Sequence, residues 1–181
     1  MRYYIQNIID LFRYNLPAFF KNLWLFRKAL WSYRWYQGAA SIFCFTTIAL
    51  KDMADGKSKR GYEEEVSTNK KVTKMLRAAY IMECFYTDSF IELAEEELGP
   101  LDLGNVIWIP NEDDTYTVQT RQLNKRSFVH NRKVFARARE IEESYWKELW
   151  IILEGQDYSK FTNKLNWEDQ FDGSGLRGWW D

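Results

Sequence analysis

Aromatic and cationic residues alternate along residues 24–35, and together these two types can bind a planar anion. Three tryptophans are interleaved with three cations there: Trp24, Arg27, Lys28, Trp31, Arg34 and Trp35. Indole rings stack on nucleobases, and guanidinium groups both fork onto phosphates and stack. The pattern predicts a ligand surface for a nucleotide or a similar anion. Two other interpretations stay open: a subunit interface, and a basic, aromatic helix over residues 2–36 that lies on a membrane surface.

A second basic cluster occupies the start of the last predicted helix, and it consists of Arg132, Lys133, Arg137 and Arg139. Cations near a helix N-terminus add their charge to free backbone N–H groups and attract anions. Glutamates 140, 142 and 143 lie at helical spacings that would instead neutralise these arginines. We expect Arg132, Lys133 and Arg137 to bind phosphates, together with Arg177 near the C-terminus.

The C-terminal stretch DGSGLRGWWD (172–181) places three glycines before Trp179 and Trp180. Two exposed indoles at a chain end would leave a large apolar area in water. We therefore expect both tryptophans to dock on their own chain, on a neighbouring subunit or over a ligand.

Residues that could carry catalysis are sparse. His130 is the one histidine, and the sequence contains no HExxH motif, cysteine cluster or glycine-rich phosphate loop. Carboxylates cluster at residues 113–114 and 168–172, where solvated charge is the ordinary interpretation. We predict a protein that is not an enzyme and has no cofactor or catalytic metal; a metal-dependent phosphodiesterase using Asp169 and Asp172 ranks third. Glu83 lies within an apolar helical face and is expected to be paired rather than catalytic.

The bulk composition narrows the class of protein. The chain has 181 residues, 46% hydrophobic content and a formal charge of -1, which favours a globular fold and does not favour a long nucleic acid as partner. Cys44 and Cys84 lie in apolar stretches without metal-binding spacing and predict reduced core residues. The longest uncharged run, residues 35–50, is too short to cross a bilayer, so no stable membrane insertion is expected.

Apolar periodicity predicts a mainly α-helical bundle of four or five helices with one small β-hairpin and an irregular C-terminal tail. The predicted helices cover residues 2–13, 18–36, 39–54, 68–98 and 127–153, and the hairpin covers about 105–120. Charged, glycine-containing residues 55–65 predict a loop. Phe19, Leu23, Phe26, Leu30 and Tyr33 form an apolar stripe for a core or a partner helix. We expect one helical domain over 1–155, followed by a docked tail over 156–181.

Several stretches resemble a family of small proteins encoded by tailed bacteriophages. The matching stretches are KNLWLFRKALWSYRWY (21–36), KKVTKMLRAA (70–79), DSFIELAEEELG (88–99), HNRKVFARAREIEESYWKELW (130–150), GQDYSKF (155–161) and DQFDGSGLRGWWD (169–181). The terminal GWWD together with HNRKVFARA is specific, whereas residues 38–65 and the hairpin region match least. The resemblance implies phage origin and the cytoplasm of the bacterial host.

Phage accessory proteins of one class counter host defence by sequestering nucleotide signalling molecules, such as cyclic oligonucleotides or ADP-ribose derivatives, in pockets between subunits. The expected function is therefore non-enzymatic sequestration by a homo-oligomer assembled through the aromatic N-terminal helices. The rival is a protein–protein inhibitor or a virion-associated structural protein with no small-molecule ligand.

Overall fold

A computed structural model describes residues 9–32, 38–60, 64–104, 106–111, 115–120, 124–157 and 170–179. These residues form five α-helices and one antiparallel hairpin, which confirms the predicted fold class. The helices are α1 (Leu16–Ser32), α2 (Gly38–Arg60), α3 (Glu65–Thr87), α4 (Phe90–Leu98) and α5 (Lys125–Glu154); the strands are β1 (Val106–Pro110) and β2 (Tyr116–Thr120). A π-helical turn, Leu11–Asn15, precedes α1, and a 3-10 turn covers Leu176–Trp179.

The chain forms two compact units. One contains residues 1–87 and 149–181, and the other contains residues 88–148, so α5 contributes to both. The predicted single domain over 1–155 stays a prediction. Within the described ranges, every helix is too short or too polar to span a bilayer.

Helices α2 and α3 form the core of the first unit. The rings of Phe43 and Phe85 stack with centroids 5.4 Å apart, and the buried Thr47 hydroxyl donates to the Ala79 carbonyl oxygen at 3.4 Å. Cys44 and Cys84 are buried free thiols, as predicted, and burial raises the pKa of the Cys84 thiol. Helix α1 packs on α2, and the C-terminal residues 170–179 pack on α3.

Glu83 forms an ion pair, but not in the apolar setting that its helical position suggested. The Lys51 ammonium lies 2.6 Å from the Glu83 carboxylate, and both side chains are close to half exposed. Because the Glu83 carboxylate is partly in water and pairs with Lys51, it does not require a buried partner.

Helix α1 contacts α2 through a narrow face. Ala29 is fully buried, and the Phe26 ring lies 5.6 Å from the Phe45 ring. The predicted stripe does not form a core within this chain, since Phe19, Leu23 and Leu30 are all exposed. Its packing against a partner helix stays a prediction, and Tyr33 lies outside the described residues. A small residue at position 29 lets α1 approach α2 closely, which turns the larger apolar residues away from that contact.

Three element boundaries differ from the predictions. Residues 9–32 stay helical through the expected break at Asn15 and Pro17, because a π-helical turn leads directly into α1 with Pro17 in its first turn. Residues 55–60, expected in a loop, continue α2, and Lys59 pairs with Asp55 one turn earlier at 2.8 Å. The predicted helix 68–98 is interrupted at Asp88, whose φ of 55° is left-handed.

The C-terminal segment, residues 170–179, docks on α3 and on the end of α5. Gly155 ends α5 with a φ of 79°, and the Gly175 N–H donates to the Ile152 carbonyl oxygen at 2.8 Å. The Lys70 ammonium donates to the Phe171 carbonyl oxygen at 2.9 Å. Trp179 is 1% exposed, and its indole N–H donates to the Gly173 carbonyl oxygen at 2.8 Å. Docking of Trp179 on its own chain is confirmed, and Trp180 lies outside the described residues.

The second unit carries the hairpin. Trp108 is the register partner of Val118, and the Asn111 N–H donates to the Thr115 carbonyl oxygen at 2.8 Å where the strands meet the turn. The hairpin lies within the predicted residues 105–120. Helix α4 ends at Gly99 with a φ of 95°, followed by Pro100 as predicted.

Candidate functional site

A groove of about 720 Å³ lies along the first half of α5 in the second unit. Phe128, Arg132, Phe135 and Arg139 follow one another at intervals of four, three and four residues, which places them on one face of the helix. Leu103, Asn131 and Ala136 complete the lining. The groove therefore alternates two aromatic side chains with two guanidinium groups along its length.

Helix α5 starts with a capping interaction that positions this face. The Asn124 side-chain oxygen accepts the Ser127 backbone N–H at 2.8 Å, which satisfies one free donor of the first turn. Val134, Ala138 and Ile141 are buried on the core face of the helix. The stripe that contains Phe128 and Phe135 lies to one side of that core face and is exposed.

The loop that supplies Leu103 is tied to α5 by three hydrogen bonds. The Asn131 amide accepts the Asp102 N–H at 3.0 Å and donates to the Asp102 carbonyl oxygen at 2.7 Å. The Ser127 hydroxyl donates to the Asp102 carboxylate at 2.6 Å. Because Asn131 is buried and bonds in both directions, the loop is fixed against the helix. The wall of the groove is preformed rather than assembled on binding.

Two arginines of the groove differ in their pairing from a third on the same helix. Neither Arg132 nor Arg139 forms an ion pair or a hydrogen bond in the described part of the chain. Arg137 is held by Glu97 through two hydrogen bonds of 2.6 and 3.2 Å and by Glu140 at 3.1 Å. The hydrogen bonds from Arg137 lower the pKa of the Glu97 carboxyl, and those to Glu97 and Glu140 raise the pKa of Arg137.

The predicted phosphate ligands of α5 differ in their position and in whether their charge is already paired. Arg137 is neutralised by Glu97 and Glu140, so a phosphate would have to displace these acids, and its role as a phosphate ligand stays a prediction. Arg132 lines the groove, with its charge available. Lys133 lies in a separate depression with Lys125, Arg126, Val129 and His130.

Comparison with protein-family models, curated proteins and solved structures finds no match. The site is therefore interpreted from its own chemistry.

The tryptophan and cation stripe of α1 lies in the first unit. Arg27 stacks over the Trp24 ring with its central carbon 3.8 Å from the ring centroid, and its guanidinium also donates to the Trp24 carbonyl oxygen. Trp24 and Trp31 are 69% and 87% exposed, and Lys28 is exposed beside them. Arg34 and Trp35 fall outside the described residues.

The remaining predicted ligand residues lie in the C-terminal segment. Trp179 is enclosed by its own chain, so it offers no ring face to a ligand, whereas Arg177 is exposed. Trp180 falls beyond the described part of the chain. The described members of the predicted set divide between the two units, with those of α1 and of the C-terminal segment in the first and those of α5 in the second. Their assembly into one ligand site stays a prediction.

Asp172 and His130 are both engaged in local contacts. The Asp172 carboxylate accepts hydrogen bonds from the Ser174 N–H at 2.8 Å and hydroxyl at 2.5 Å, and it lies 3.6 Å from the Lys74 ammonium. His130 bonds through Nε2 to the Pro100 carbonyl oxygen at 3.1 Å. Among the described residues, no three acids, cysteines or histidines converge as a metal site would require. Asp169 lies outside them.

Sequence reasoning missed Phe128, Phe135 and Leu103 as site residues. The signal was present, because SFVHNRKVFARARE alternates phenylalanine and arginine at helical spacing. The position of Leu103 depends on a loop that returns to α5, and helical spacing carries no information on such a return.

Proposed function

We propose that the protein binds a nucleotide-type anion in the α5 groove and thereby sequesters it. The observation that carries this proposal is the alternation of Phe128, Arg132, Phe135 and Arg139 along one preformed groove. Aromatic rings stack on bases, and guanidinium groups bind phosphates with two parallel hydrogen bonds. Both contacts that a nucleotide needs are thus offered by adjacent residues on one helical face.

The spacing of the arginines favours a ligand with more than one anionic group. Seven residues of α-helix separate Arg132 from Arg139, which corresponds to roughly 10 Å along the helix axis. Phe135 lies between them and offers a surface for a base or a ribose. A dinucleotide or a nucleoside diphosphate derivative spans such a distance, whereas a single inorganic phosphate reaches one arginine at a time.

The residue types in the groove favour binding without turnover. Its seven lining residues carry aliphatic, aromatic, amide and guanidinium groups and contribute no carboxylate, thiol, hydroxyl or imidazole. Arginine stays protonated at any physiological pH, so it does not serve as a general base there. These side chains favour retention of a ligand over cleavage.

The likeness to phage proteins supports a signalling nucleotide of the bacterial host, such as a cyclic oligonucleotide or an ADP-ribose derivative, as the ligand, and the host cytoplasm as the location. The predicted homo-oligomer also stays a prediction. Light scattering of the purified protein measures its oligomeric state directly.

Thermal shift with cyclic dinucleotides, cyclic trinucleotides and ADP-ribose tests the proposal. A ligand at a hundred times its Kd stabilises the folded state by about 2.7 kcal/mol, which raises Tm by several degrees. The double variant R132A/R139A should bind the stabilising probe about a hundredfold more weakly, because two charge-assisted contacts are lost. K133A is the matched control, since it removes a neighbouring cation that lies outside the groove, and its affinity should stay unchanged.

Two outcomes would contradict this function. One is that no probe raises Tm at millimolar concentration. The other is that R132A/R139A and K133A weaken binding equally, because that result would indicate general attraction to a basic helix.

The rival function, a protein–protein inhibitor, is favoured by the exposure of Leu103 and Phe128 at the open side of the groove. A partner segment that covers the groove would use the same residues. Recovery of one host protein by the native chain and not by an F128A/F135A variant, together with no response to any nucleotide, would favour this rival.

A further inference from the structure

Helix α1 carries its most exposed apolar residues on the side opposite its contact with α2. With about 3.6 residues per turn, Ala29 and Leu25 mark the contact side, and Trp24 and Trp31 lie roughly half a turn away. Phe20 lies beside the two tryptophans and is 61% exposed. An ordinary surface helix presents polar residues to water on this side. Here the outward face is aromatic.

The outward face is also cationic. Residues 9–32 contain four cations (Arg13, Lys21, Arg27 and Lys28) and one anion, Asp10. Lys21 and Lys28 lie along one edge of the aromatic face, and Arg27 lies at its other edge with the guanidinium group over the Trp24 ring. Lys21 approaches Asp52 at 3.7 Å with both side chains largely exposed, which is a weak interaction in water. The net charge of the segment remains positive.

This charge discriminates between the possible occupants of the face. A second copy docked symmetrically through α1 would place cations against cations, because the charged residues of α1 are Lys21, Arg27 and Lys28, so like charges would oppose the pairing. A surface of anionic lipid attracts the same cations, and its interfacial layer favours indole rings. The combination of exposed tryptophans with flanking lysines therefore fits lipid better than a second copy.

We infer that α1 docks the protein on an anionic membrane surface, with the Phe20, Trp24 and Trp31 side chains in the interfacial layer and Lys21 and Lys28 at the lipid headgroups. The helix lies along the surface and does not cross the bilayer. This inference is independent of the proposed function, because it uses α1 of the first unit, whereas the nucleotide groove lies on α5 in the second.

Sedimentation with vesicles tests this docking. The 181-residue protein is mixed with vesicles of phosphatidylcholine alone or of phosphatidylcholine and phosphatidylglycerol in equal parts. We expect it to pellet with the mixed vesicles, to bind pure phosphatidylcholine at least tenfold more weakly, and to be released by salt, as expected for about 1 kcal/mol per basic residue near an anionic surface.

Matched variants separate lipid binding from general effects. K28A should weaken binding to the mixed vesicles about fivefold, the factor that corresponds to one such charge, and K147A, which removes an exposed lysine of α5, should not. W24A/W31A should abolish pelleting, and W150A, which removes an exposed tryptophan of α5, should leave it unchanged. Circular dichroism checks that each variant keeps its helix content.

Three results would overturn the inference. The first is no pelleting with the mixed vesicles. The second is equal binding to both kinds of vesicle, which would remove the role of the cations. The third is a dimer in light scattering that W24A/W31A dissociates and that vesicles do not, because the occupant would then be a second copy. Nucleotide binding by the groove can persist or fail in any of these cases.

Discussion

The two ends of the first unit both carry tryptophan, yet they place it in opposite environments. The C-terminal segment encloses Trp179 so that 1% of it remains exposed, whereas α1 leaves Trp31 87% exposed. The C-terminal segment is irregular, and its glycines let the backbone lie directly against α3 and the end of α5. A helix is a rigid cylinder that can bury one face against a single neighbour, and α1 uses its alanine face for that contact. Whether an indole is buried therefore depends on how closely its backbone can approach a neighbour.

Trp179→Ala is the change with the largest expected effect on this comparison. Removing a fully buried indole and its hydrogen bond to Gly173 should lower the free energy of unfolding by about 3–5 kcal/mol. Urea denaturation followed by circular dichroism measures the difference. A loss below about 1 kcal/mol would contradict the role of Trp179 as an anchor, because it would show that the pocket collapses or refills at little cost.

Gly173→Ala tests the backbone half of the same argument. Gly173 has a φ of 83°, and a methyl group there would overlap the Lys70 carbonyl and lie 2.7 Å from the Lys71 nitrogen. Strain and overlap should together cost about 3 kcal/mol, measured in the same way. Gly56→Ala is the matched control, because nothing lies within 4 Å of that position inside α2. The control should be neutral or stabilising by roughly 0.5–1 kcal/mol.

Low pH should weaken the docking of the C-terminal segment and leave the contact between α1 and α2 unchanged. Partial burial raises the pKa of the Asp172 carboxyl, but the hydrogen bonds from Ser174 and the charge of Lys74 outweigh it, so the pKa lies below its ordinary value. A lowered pKa in the folded state gives stability that is present above the unfolded value of about 4 and is lost as the pH falls through the folded value.

Asp172→Asn measures this contribution. At pH 7 the variant should be less stable than the native chain by about 1 kcal/mol, since the carboxylate is partly exposed and screened by water. The difference should vanish near pH 2. A constant difference at both pH values would contradict an electrostatic role for Asp172.

The secondary structure was predicted from the sequence more accurately than the helix faces that are buried against a neighbour. The adjacent Trp179 and Trp180 indicated a docked segment, because an indole gains free energy when it leaves water. The apolar stripe of Phe19, Leu23 and Leu30 indicated a face for a core or for a partner helix, and it is not a core face within this chain. Periodicity identifies an apolar stripe but does not identify the neighbour that covers it. Ala29, the residue that makes the contact, is too small to stand out in such a pattern.

The candidate groove was predicted in part. Arg132 was identified from its basic cluster. Arg137 in the same cluster forms an ion pair with Glu97, forty residues earlier in the sequence. Pairing at that distance depends on how the chain folds back, whereas local spacing identified the other partner of Arg137, Glu140 within α5. The helical spacing of Phe128 and Phe135 shows that they share one face of α5. That this face is exposed follows only when the buried face of α5 is known.

Trp31→Ala is the smallest effect expected and completes the comparison with Trp179. Its indole is almost fully exposed and makes no ring contact in the described residues, so its removal should change the free energy of unfolding by less than about 0.5 kcal/mol. Trp24→Ala should cost slightly more, about 0.5–1 kcal/mol, because it also removes the stacking contact between the indole and the Arg27 guanidinium group. Urea denaturation at low protein concentration, without lipid, makes the measurement. If Trp31→Ala instead cost as much as Trp179→Ala, the outward face of α1 would be covered in the free protein, and the contrast between the two ends of the unit would not hold.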